Sequence, residues 1–163
     1  MDHPPLHVLF LCTHNSARSI LAEALLSHVG RGRFVAHSAG SQPRGEPNPL
    51  ALQVLREAGI PTEGLASKSW DVFGTADAPK MDLVITVCDN AAGETCPYWP
   101  GQPATAHWGY ADPSATEGSE AERLAAFQHT MIAIRQRLEL LVNLPDAALD
   151  RLALQTAARG LAS

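Results

Sequence analysis

The chain has 163 residues, a formal net charge of −5 and 45% apolar residues. That is one domain's length with enough apolar mass for a real core, without the positive balance of a general nucleic-acid binder. No apolar run is long enough to span a bilayer. The N-terminal MDHPPLHVLFLC lacks a basic n-region and a small-residue cleavage site, so the expectation is a cytoplasmic, membrane-free monomer rather than an exported chain.

In chain order, LHVLFL (6–11) is a short, almost continuous apolar run, as in a buried parallel strand. ARSILAEALLSHV (17–29) places Ile20, Leu21, Ala24, Leu25 and Val29 at helical spacing, with Gly30 and Gly32 as stop signals. FVAHSAG (34–40) reads as a strand entering a glycine turn. NPLALQVLREA (48–58) reads as a helix with Asn48 as N-cap and Pro49 at its first position, ended by Gly59. LASKSWDVFG (65–74) is irregular with room for a short helix.

DLVITV (82–87) is a buried strand that ends on Cys88. Residues 88–104 are rich in Gly and Pro and read as a long loop, TAHW (105–108) as a short strand, and 109–119 as a loop. Ser119 and Glu122 make an S-x-x-E capping box. Behind it Leu124, Phe127, Met131, Ile134, Leu138 and Leu141 mark one long helix. Pro145 interrupts, and 146–158 can add a short helix. Alternating strands and helices predict a single α/β domain over 1–163 with a parallel sheet, sites lying beyond the carboxyl ends of its strands. Leu9, Leu11, Val35, Leu83, Ile85 and Phe127 are the expected core.

Cys12 occupies such an end, in CTHNSARS (12–19). Between a strand and a helix, the backbone N–H groups of Thr13, His14, Asn15, Ser16 and Ala17 can converge on a tetrahedral oxyanion. Arg18 adds a planar fork for two of its oxygens, and the same positive surroundings favour the thiolate of Cys12. Asn15 tolerates a left-handed turn, and the Ser19 hydroxyl can donate to the thiolate. A thiolate aimed at a bound oxyanion is poised for in-line displacement. The plain alternative, a core cysteine and a surface arginine, explains C-x5-R but not its placement. Displacement needs an acid for the leaving oxygen; Asp112, before Pro113, is the candidate, although an Asp-Pro pair alone is more often an ordinary turn.

The three cysteines are Cys12, Cys88 and Cys96. Thiol–disulfide exchange could pass a disulfide outward through the last two; the plain alternative is a core Cys88 and an incidental Cys96. Zinc is disfavoured, because the spacing is not C-x2-C and the seven histidines are scattered.

Together CTHNSARS, SAG (38–40), DLVITVCD (82–89), CP (96–97), HWG (107–109), DP (112–113) and FQ (127–128) resemble the thioredoxin-coupled arsenate reductases built on the low-molecular-weight tyrosine phosphatase fold, over about residues 6–142. The resemblance implies a central four-stranded parallel sheet flanked by helices, arsenate as substrate, and no tightly bound cofactor. It also implies a relay. Cys12 attacks arsenate held by residues 13–19, Asp112 protonates the departing hydroxyl, Cys88 attacks Cys12 to release arsenite, and Cys96 attacks Cys88. The resulting Cys88–Cys96 disulfide is reduced by an external thiol system: thioredoxin, glutaredoxin with glutathione, or mycothiol. Some members bind K+, and Asn15, Glu23, Ser38 and Asp71 fall where those ligands would lie.

The chain departs from the pattern where many relatives have Gly in place of His14 and a cysteine in place of Ala17. His14 is expected to face solvent. Residues 143–163 form an extension beyond the resemblance. The rival readings are a low-molecular-weight tyrosine phosphatase, whose usual tyrosines after Asp-Pro are replaced here by Ser114 and Ala115, and a non-catalytic arsenite- or metal-binding thiol protein.

Overall fold

The computed structural model describes residues 5–30, 32–75, 77–88, 104–145, 155 and 158–161. Four strands form one parallel sheet: β1 (Leu6–Cys12), β2 (Phe34–Gly40), β3 (Leu83–Thr86) and β4 (Ala104–His107), in the order β2-β1-β3-β4. The helices are α1 (Arg18–Val29), α2 (Pro49–Glu57) and α3 (Glu120–Val142). β1 is central, so Val8 to Leu11 are fully buried. Each Leu or Phe so placed contributes roughly 1.5–3 kcal/mol.

Alternation along β1 divides the core. Val8, Phe10 and Cys12 face a large cluster shared with α1, α2 and α3, while Leu9 and Leu11 face a smaller one with Ala39, Met81 and Val84. Trp70 and Phe73, from the 3-10 turn Trp70–Phe73, pack on the smaller cluster. α1 is buried along most of its length because it lies between the sheet and the other two helices.

The expected helix ends are present. The Asn48 side chain accepts from the Leu50 N–H, and Ser119 and Glu122 cap α3 reciprocally. Of the expected core, Leu9, Leu11, Leu83, Ile85 and Phe127 are buried, but Val35 is not: it is 36% exposed. It stands near the start of the edge strand β2, on the face where Trp70 and Phe73 cover only the carboxyl half. The expected loop at 109–119 contains a 3-10 turn at Pro113–Ala115. The expected loop over 88–104 lies outside the described residues except for its two ends, and the expected helix over 146–158 lies outside them except for residues 155 and 158. No described helix is long and apolar enough to cross a membrane.

Candidate active site

The site forms where β1 ends. Parallel register sets Cys12 beside Gly40. A Cβ at Gly40 would stand 2.5 Å from the Thr13 carbonyl oxygen, 2.9 Å from the Asn15 nitrogen and 2.9 Å from the Cys12 oxygen, so only glycine lets the loop after Cys12 pass this close. Asn15 turns the loop with φ 47°, in the left-handed region.

The carbonyls of this loop are held away from its centre. Those of Thr13, His14 and Ser16 accept from the N–H groups of Gln42 (2.8 Å), Arg44 (3.1 Å) and Asn48 (2.8 Å), and the Ser67 hydroxyl also donates to His14 O at 3.0 Å. The amides are left over. Among the described residues, the N–H groups of His14, Asn15, Ser16 and Ala17 have no acceptor, although Asn15, Ser16 and Ala17 are buried. Buried N–H groups are almost always paired. A run without acceptors beside a helix start is the signature of an anion site.

His14, Ser16 and Ala17 line a polar pocket with Cys12, Arg18, Arg44, Asp112 and Ser114. His14, half-buried, borders this pocket. Cys12 is a free, buried thiol. Its Sγ is 3.0 Å from Ser19 Oγ. Asn15 Nδ2 donates to that same Ser19 oxygen (2.8 Å) and to Ser38 Oγ (2.9 Å). The Ser19 hydroxyl, already an acceptor, has its own hydrogen to give to the sulfur.

Arg18 is nearly buried; its Nη1 donates to the Tyr110 carbonyl (2.9 Å), and its Nη2 stands 3.8 Å from Asp112 Oδ2. Asp112 is anchored by one oxygen only: Oδ1 accepts from the Ser114 N–H (2.9 Å) and hydroxyl (2.7 Å). Oδ2 remains on the side toward Arg18.

Cys88 follows β3, the neighbour of β1, and the Val87 N–H donates to Leu11 O. Both thiol positions therefore lie at the carboxyl edge of adjacent strands. Cys88 is fully buried and disulfide-bonded; Cys96 lies outside the described residues.

Of the residues placed at a potassium position, Asn15, Glu23 and Ser38 come together. Ser38 Oγ donates to Glu23 Oε1 (2.5 Å), and the Lys68 ammonium is 3.8 Å from that oxygen. Burial pushes the Glu23 carboxyl up from its ordinary value, against the opposing pull of Ser38 and Lys68. Asp71 is exposed, and no hydrogen bond or ion pair joins it to the other three among the described residues. Asn15 turns its nitrogen, not its oxygen, toward Ser38, and its oxygen accepts from the Lys68 N–H (2.9 Å). This arrangement fits an internal network with Lys68 as the counter-charge and does not fit a cage of oxygens around a bare cation.

Lys68, Ser67, Arg44 and the Tyr110 carbonyl all serve the site but carry no local sequence signal. They reach it through contacts between segments distant in the chain.

Residues 7–153 match the profile of the low molecular weight phosphotyrosine protein phosphatase family. The chain is 38% identical over 133 residues to an arsenate reductase of Bacillus licheniformis, covering 81% of this chain and 91% of that one. It is 34% identical over 132 residues to an arsenate reductase of Bacillus subtilis, with the same coverage. Among solved structures, an arsenate reductase of Archaeoglobus fulgidus superposes with a TM-score of 0.69 at 26% identity, over 84% of this chain and 99% of that one. A thioredoxin-dependent arsenate reductase of Corynebacterium glutamicum superposes with a TM-score of 0.55 at 30% identity, over 86% and 65%. With its anion loop, free thiol and adjacent carboxyl set on this sheet, the chain belongs to the low molecular weight phosphotyrosine protein phosphatase family, and within it to the arsenate reductases.

Proposed function

We propose that this chain reduces arsenate to arsenite through Cys12, Cys88 and Cys96 in turn. The observation that carries the reading is the run of acceptorless amides, His14 to Ala17, around the free Cys12. The Cys12 thiolate attacks arsenic. A hydroxyl departs as water with the proton held on Asp112 Oδ2, leaving a sulfur–arsenic bond. Cys88 thiolate then attacks Cys12 Sγ. The electron pair of the sulfur–arsenic bond stays on arsenic, which leaves as arsenite, and a Cys12–Cys88 disulfide forms. Cys96 attacks Cys88, frees Cys12 as thiolate and leaves a Cys88–Cys96 disulfide, which an external thioredoxin-like dithiol reduces. A free Cys12 together with a disulfide-bonded Cys88 is consistent with the state that ends this sequence. No tightly bound cofactor is required, because the two electrons come from thiols.

The test is arsenate-dependent NADPH oxidation coupled through thioredoxin and its reductase, beside hydrolysis of para-nitrophenyl phosphate. Cys12→Ser, Cys88→Ser and Cys96→Ser are each expected to abolish arsenate turnover, while only Cys12→Ser abolishes the hydrolysis. Asp112→Asn is expected to lower both rates about 10²–10⁴-fold. A wild type that hydrolyses the ester well but turns over no arsenate with any thiol system would make this chain a phosphatase.

A further inference from the structure

The loop between β2 and α2 does more than hold the carbonyls of the anion loop. Its hydrogen bonds to Thr13, His14 and Ser16 recur along residues 42, 44 and 48, and Gly45 N–H donates to Ser67 Oγ at 3.3 Å. The backbone at Arg44 is thereby fixed against the anion loop itself. Arg44 lines the pocket of Cys12 and Arg18, and also an open groove beside it with Ser16 and Glu46.

Arg18 is committed to Tyr110 and stands near Asp112. The Arg44 guanidinium is exposed and makes no hydrogen bond or ion pair among the described residues. Glu46, in the same groove, is not paired with it. A cation kept unpaired at the mouth of an anion pocket, in a protein of net charge −5, is placed to offset the long-range repulsion of an incoming dianion and to bond its outer oxygens.

We propose that Arg44 is a second substrate-binding arginine: with the oxyanion seated on the Cys12 loop, its guanidinium folds over the pocket mouth and donates to an outer oxygen. This rests on reading that loop as an oxyanion site. The contact would be the same before and during displacement, so it contributes to affinity more than to the chemical step.

Titration calorimetry of the full chain with inorganic phosphate tests binding without turnover. Wild type would be compared with Arg44→Gln, Arg44→Lys and, as an equal charge change away from the pocket, Arg56→Gln on α2. Arg44→Gln is expected to weaken phosphate about tenfold, Arg44→Lys less, and Arg56→Gln less than twofold. Added salt should weaken wild type more than Arg44→Gln. In arsenate turnover, Arg44→Gln should raise KM about tenfold with kcat within twofold. Phosphate affinity of Arg44→Gln within twofold of wild type, or equal losses in Arg44→Gln and Arg56→Gln, would overturn the assignment. Wild type that binds no phosphate would overturn the oxyanion reading beneath it, a result distinct from failure of arsenate turnover alone.

Discussion

Asn15 shows how much one side chain can determine. Its left-handed turn, its two donated hydrogens and its accepted one order Ser19, Ser38 and the strand of chain at Lys68 at once. The network ends on Glu23, whose carboxyl is raised by burial. From an ordinary value of 4.5 up to the raised native one, the folded chain holds a proton that the unfolded chain has lost. The Glu23 contribution to stability is therefore full below pH 4.5 and declines as pH rises through the native value. Glu23→Gln keeps an oxygen to accept from Ser38 and removes the titration. Urea unfolding should show the variant gaining on wild type between pH 4.5 and 8. His37, lowered to about 4 by burial and then by the nearby charges of His7 and Lys68, gives stability that rises with pH up to about 6.5. It is present in both proteins, so the difference isolates Glu23. A difference flat in pH would show that the carboxyl is not strained by its burial.

At the scale of elements, the contact between β2 and the anion loop is the joint on which the site depends. Gly40→Ala drives a methyl into three backbone atoms of that loop. An overpacked site usually costs about 1–3 kcal/mol, but here one of the three crowded atoms is the Asn15 nitrogen, an amide of the proposed oxyanion loop. Unfolding should shift within that range while turnover of arsenate falls at least about a hundredfold. Comparable losses of phosphate binding would localise the damage to the loop, whereas full activity would show that the loop can yield. Much of this level was legible in the chain. The caps at Asn48 and Ser119, the apolar runs of β1 and β3 and the C-x5-R-S spacing all act through local chemistry that residue types encode. Val35 was misplaced because alternation gives the face of a strand but not how far its cover extends. The bracing of residues 13–16 by 42–48 was invisible, since it runs between backbone groups that every residue except proline carries. Arg44 was hidden for the same reason, and Lys68 because it is placed by the Gly40 N–H and the Asn15 side chain, not by neighbours in sequence.

The whole molecule solves a further problem, the open edge of β4. Its outward groups at Thr105 are met by side chains from the C-terminal extension: the N–H donates to Gln155 Oε1 (3.1 Å), while Arg159 Nε donates to the carbonyl (3.0 Å) and Nη2 to the hydroxyl (3.2 Å). The buried Trp108 indole donates to Ala158 O at 2.8 Å, and Ala158 and Leu161 join the main core. Residues 155 and 158–161 thus stand beside the outer edge of β4, and Ala158 ties to Trp108, two residues before the carbonyl that holds Arg18. Ending the chain after Leu144 would strip these bonds, leave a buried indole N–H without its acceptor and expose a sheet edge. The loss of that one acceptor costs about 1–3 kcal/mol, and the apolar contacts of Ala158 and Leu161 add to it. The shortened protein should unfold at lower urea and self-associate through β4 on light-scattering chromatography. Arg159→Ala, which removes only the exposed pair of bonds, should cost less than about 1 kcal/mol and stay monodisperse. If the shortened chain matched wild type in urea midpoint and size, the extension would be an appendage and the edge of β4 would need no cover.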